Sequence, residues 1–227
     1  MATRTLEQKL QRLRDEVLVL GEMVVKTLGQ SVEYLQWPDF GNTRRGYVFD
    51  LQVARKRFAI ESDCLVLAAA YPLANDNLWV IISALEIAIE LENIEQRARD
   101  IAKTPLMPTT GFSLKGLFPL RRMALQTQHE LQCALEAYER GELAWAQIDA
   151  VENDGVGALR QLVGQELQPV FKNGSAPMAE RARSLWQVSY HLERIADRIN
   201  SIRGWADFAV TGTMTKWAVE MTEEGSE

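Results

Sequence analysis

Apolar residues recur along this chain at spacings of three and four, through long stretches rich in Leu, Ala, Glu, Arg and Gln, while Pro and Gly gather in a few places between them. Such a pattern predicts helices separated by short breaks. A first helix is expected from about Thr5 to Gln36, ended by "WPDFGN"; a second from about Thr43 to Ala70, ended by "YPLAND"; a third from about Asn75 to Lys103. After "TPLMPTTGFSLKG" a fourth runs to about Arg140, a fifth from about Glu142 to Phe171, and a sixth from about Met178 to Phe208. In the second helix Leu51, Ala54, Phe58, Leu65 and Ala68 form the expected bundle seam, broken by Glu61. In the third the stripe is Leu91, Ile94, Ala98 and Ile101, and in the sixth Leu192, Ile195, Ile199 and Ile202. No stretch alternates with period two between hairpin turns, so an all-α fold is expected.

Three helices, a linker and three more helices suggest a duplication. "LENIEQRARDI" lies over "LERIADRINSI" with Leu91, Glu92, Ile94, Arg97 and Ile101 matching Leu192, Glu193, Ile195, Arg198 and Ile202 at a constant offset (193 − 92 = 101). In the first helix of each half Leu28 and Val32 fall over Leu131 and Leu135 (131 − 28 = 103). The expected organisation is a three-helix bundle over 1–103, a linker over 104–115, a pseudo-symmetric second bundle over 116–208 and a tail over 209–227.

Composition narrows the function. At 227 residues, 47% of them hydrophobic, the chain can bury a sizeable core. A formal net charge of −6 with no basic stripe argues against a nucleic-acid partner. The longest apolar stretch, "LWVIISALEIAIEL", is interrupted by Glu86 and Glu90, so no membrane insertion is expected, and the N-terminus lacks a signal-like apolar region. Cys64 and Cys133 sit in apolar helical runs and read as reduced core residues of a cytoplasmic protein. His129 and His191 lack the Glu-x-x-His spacing of di-iron bundles, having Gln126 and Val188 three residues earlier, and read as packing or surface residues. The tryptophans, among them Trp79, Trp145 and Trp186, read as core or interface anchors. "GFSLKG" lacks the ending of a phosphate-cradling loop, and no catalytic signature is visible.

The candidate chemistry lies in "LERIADR". At about 100° per residue Glu193 and Asp197 share a face away from the apolar stripe, as do Glu92 and Gln96 in the third helix. One reading is a solvated face. Another is half of a metal site, because carboxylates at i and i+4 are close enough to share a hard cation, with Asp50, Asp149 or Asp154 of the preceding helix completing it. A general acid/base pair would need an apolar pocket, which an outward face does not supply.

The repeat of three helices, "YPLANDNLWVIISALEIAIELENIE" in the first half and "LERIAD" in the second together resemble the PhoU family of phosphate-uptake regulators over about residues 5 to 208. The resemblance implies a pair of three-helix bundles, cytoplasmic and often homodimeric, without catalysis. It also implies a negative regulator acting by contact between the phosphate-specific ABC transporter, through its ATPase subunit, and the phosphate sensor histidine kinase. Some members of that family bind iron or other divalent metals on an acidic motif with four-residue spacing. Residue by residue, the motif is kept at Glu193 and Asp197, reduced to Glu92 with Gln96, to Asp50 with Ala54, and to Asp154 with Ala158; the "PLANDNL" segment departs from the family signature after Asp76. The expected metal residues are therefore Glu193, Asp197, Asp154, Glu92 and Asp50, with the first half the weaker site. A metal-buffering bundle with no part in phosphate control is the alternative function.

Overall fold

In a computed structural model, residues 2–36, 51–72, 75–104, 117–144 and 155–213 are described. They form six helices: α1 (Ala2–Gln36), α2 (Leu51–Ala70), α3 (Asn75–Lys103), α4 (Leu117–Arg140), α5 (Gly155–Asn173) and α6 (Ala176–Thr211). No strand occurs among the described residues.

Local signals set several of the ends. Asp76 in the first turn and Lys103 in the last complement the dipole of α3. Extended Ser175 followed by Pro177 starts α6, where a proline leaves no donor unmet. Gly212, with φ of 67°, stops that helix and donates its N–H to Phe208 O. Gly141, with φ of 64°, ends α4, and the next N–H, from Glu142, reaches back to Ala137 O at 3.0 Å. That six-to-one closure commits the chain to leave the helix.

The helices pack as two three-helix bundles, α1–α3 and α4–α6. Across the two halves α3 lies along α6 in the most extensive contact of the fold, and α1 lies against α4. Four helices thus form a central ring, with α2 and α5 on its flanks. The seam is antiparallel: Trp79 near the start of α3 meets Phe208 near the end of α6, ring centroids 6.3 Å apart. Leu91, Ile94, Ala98 and Ile101 of α3 and Leu192, Ile195, Ile199 and Ile202 of α6 are completely buried, and both halves contribute to one continuous hydrophobic core.

Several expectations need correction. In α2 the buried residues are Val53, Ile60, Cys64 and Leu67, whereas Leu51, Phe58 and Leu65 are 64%, 57% and 63% exposed. This helix is apolar on nearly every side, so two stripes with helical spacing coexist, and only the position of α1 and α3 selects one. Residues 142–144 are not helical, so α5 does not start at Glu142; Ala144 donates its N–H to the buried Asp207 carboxylate at 2.6 Å. Helix α6 runs on to Thr211, past the expected bundle end at 208. Cys64 is in the core, its thiol pushed up to about 12 by burial, but Cys133 is only partly buried, with Sγ 3.6 Å from Nε2 of the exposed His129. Trp145 lies outside the described residues.

Candidate functional site

Each three-helix bundle has an arginine–glutamate pair between its second and third helix. In the first, Glu92 projects from α3 toward α2 and accepts a hydrogen bond from Arg57 Nε at 2.9 Å. The same guanidinium donates through Nη1 to Glu61 Oε2 at 2.5 Å, so one cation bridges two carboxylates. In the second, Glu193 projects from α6 toward α5 and accepts from Arg160 Nη1 at 2.6 Å. The glutamates are related by the duplication (193 − 92 = 101), and the buried Val53, Ile60 and Cys64 of α2 match Val156, Val163 and Leu167 of α5 at the offset that also relates the arginines (160 − 57 = 103), one residue off the Asp50–Asp154 register expected from the motif.

All four side chains are mostly buried, with 15% of Arg57, 19% of Glu92, 25% of Arg160 and 29% of Glu193 exposed. Their aliphatic stems help cover the core while their charges meet near its edge. Both guanidiniums also lie on aromatic rings: Arg57 3.9 Å from the Phe58 centroid, Arg160 4.7 Å from Trp186 and 5.7 Å from Tyr190. A Cβ at Gly164 would stand 3.1 Å from the Trp186 ring, so the missing side chain lets the indole settle against α5.

The other expected residues do not gather here. Asp197 pairs along its own helix with Arg194 at 2.9 Å and is half exposed, so Glu193 and Asp197 share a spacing but not a partner. Gln96 is exposed. Asp50, Asp149 and Asp154 lie outside the described residues. Among the described residues no group of three or more His, Cys, Asp or Glu is placed to hold a metal ion. Arg57, Glu61 and Arg160 were not expected in the site. The duplication offset relating Arg57 to Arg160 was a signal, but basic residues are frequent on helix faces and only packing shows which of them meet a glutamate.

A groove of about 630 Å³ lies elsewhere, between α1 and α4, lined by Glu22, Glu33, Glu136 and Glu139 around Lys26 and Gln128. No described helix is long and apolar enough to cross a membrane.

No family model matches the chain; its likeness is to individual proteins. The phosphate-specific transport system accessory protein PhoU homolog of Pseudomonas aeruginosa is 28% identical over 212 residues, covering 90% of this chain and 85% of that protein. The crystal structure of PhoU from Pseudomonas aeruginosa superposes with a TM-score of 0.81 at 25% identity, over 91% of this chain and 99% of the other. The phosphate transport system regulatory protein PhoU from Streptococcus pneumoniae shares the fold at a TM-score of 0.81, over 92% of this chain and 99% of the other, at 22% identity. Over about nine-tenths of its length, in sequence and in its pair of three-helix bundles, the chain is similar to PhoU proteins.

Proposed function

We propose that this protein is a negative regulator of phosphate uptake and of phosphate-starvation signalling, acting through contact with the ATPase subunit of a phosphate-specific ABC transporter and with a phosphate sensor kinase, without catalysis of its own. The reading rests on the end-to-end likeness to accessory proteins of phosphate-specific transport, which covers both bundles and not one shared module. The surface suits action by contact. Phe118, Leu65 and Phe58 are 72%, 63% and 57% exposed, and large apolar residues in water are what a partner surface covers.

The test is phosphate uptake in phosphate-rich medium by cells with the gene, without it, and with it restored. Uptake is expected to rise on deletion and to return to its restrained rate on restoration. Equal uptake in all three strains would remove the regulatory reading and leave only the fold.

A further inference from the structure

The paired junctions of the two bundles point beyond regulation, to what holds the carboxylate faces together. Where an acidic cluster lies between two helices, its self-repulsion has to be met by a cation, and a bound metal is one solution. In this chain each junction already holds a positive group: Arg57 between Glu61 and Glu92, and Arg160 against Glu193.

We propose that the guanidiniums of Arg57 and Arg160 are built-in cations, standing where a metal would bridge the second and third helix of each bundle, so that this chain keeps its carboxylate junctions ordered without metal. Three observations carry this. An arginine–glutamate pair across the second and third helix occurs twice, at positions related by the duplication, which sets it apart from an incidental surface ion pair. Arg57 joins carboxylates from two helices, the bridging task a divalent ion performs, and a guanidinium can do it because its planar fork carries several donors. Both guanidiniums are also held over aromatic rings, a surface that attracts a weakly hydrated organic cation and offers a hard metal ion no oxygen ligand.

The remaining neighbours agree. The position four residues after Glu92 carries the amide of Gln96, and the carboxylate of Asp197 is turned to Arg194. A divalent cation entering either junction would meet a fixed positive charge and, among the described residues, too few oxygens.

The test uses the full-length protein and does not depend on the phosphate phenotype. Protein is incubated with excess Fe(II), Mn(II) or Zn(II), desalted, and assayed for metal by mass spectrometry and for melting temperature. The wild type is expected to retain only substoichiometric metal and to melt at the same temperature with metal or chelator. Arg57→Glu, which sets a third carboxylate beside Glu61 and Glu92, is expected to melt lower in chelator, to retain metal in stoichiometric amount and to regain melting temperature with it. Arg57→Gln is expected to melt lower with no metal response, and Arg160→Glu repeats the gain test in the second bundle should Arg57→Glu fail to fold. Stoichiometric metal in the wild type that disappears in Glu92→Gln and Glu193→Gln would overturn the proposal. So would charge-reversed variants that fold yet neither lose stability nor gain metal.

Discussion

Arg198 of α6 reaches across the centre of the molecule to Glu90 of α3, Nη1 to Oε2 at 3.3 Å, and so joins the two bundles. The duplicated counterparts are Arg97 and His191 (198 − 97 = 191 − 90 = 101), so one end of the seam carries an ion pair where the other carries an imidazole. Two halves of common pattern have diverged at the surface they share.

Glu90 is nearly buried while Arg198 keeps about a third of its side chain in water. Glu90→Gln is expected to cost about 1–2 kcal/mol, between the ~0.2–1 of exposed pairs and the ~3–5 of broken buried ones. At this chain length calorimetry should record a melting temperature lower by roughly 2–8 °C. Glu86, one turn earlier, has its carboxyl pKa raised by burial and by the charge of Glu90. In the same variant that carboxyl should titrate at lower pH by NMR. Unchanged melting would deny the pair a role at the seam.

His191 is 6% exposed, and neither ring nitrogen has a hydrogen-bond partner among the described residues. Burial lowers its pKa, Arg97 pushes the same way, and Asp100 opposes them. The folded state therefore holds the neutral ring where the unfolded chain, with a pKa near 6.5, begins to take up a proton. Stability is complete above about pH 6.5 and falls with acidification from there toward the lowered folded-state value. Denaturation midpoints at a series of pH values should show this slope, flattened in His191→Gln; an equal slope in the variant would assign the acid sensitivity to other groups.

Gly212 combines a left-handed backbone with the Trp79 ring directly in the path of a Cβ. Gly212→Ala is expected to destabilise by about 1–3 kcal/mol through backbone strain and displacement of the indole. Gly141 has φ of 64° but open space around it, so Gly141→Ala should show only the backbone part, about 1–2 kcal/mol. Urea midpoints compare the two directly. Equal losses would mean that Trp79 yields at no cost.

Which stripe of α2 is internal can be tested by paired substitutions. Ile60 is 1% exposed and Leu65 63%. Ile60→Ala should cost about 2–5 kcal/mol, whereas Leu65→Ser should stay within about 0.5 kcal/mol in the isolated protein. The reverse order in thermal melts would restore the stripe that spacing alone suggested.

The helical character of the chain, most of its breaks, the offset repeat and the buried stripes of α3 and α6 are legible in the residues alone. Those signals are local or recur at a fixed offset: Gly141 ends α4 through its own backbone freedom just after the expected Arg140, and Leu192, Ile195, Ile199 and Ile202 leave a single apolar face to bury. Glu92 and Glu193 were legible as counterparts for the same reason. Direction is set by packing. Helical spacing says that Glu193 and Asp197 share a side, but their partners lie on different elements, Arg160 on α5 and Arg194 on α6 itself. Spacing likewise could not choose between the two apolar stripes of α2, nor show that Arg57 sits between Glu61 and Glu92, because a charge pair between helices depends on which faces packing turns together.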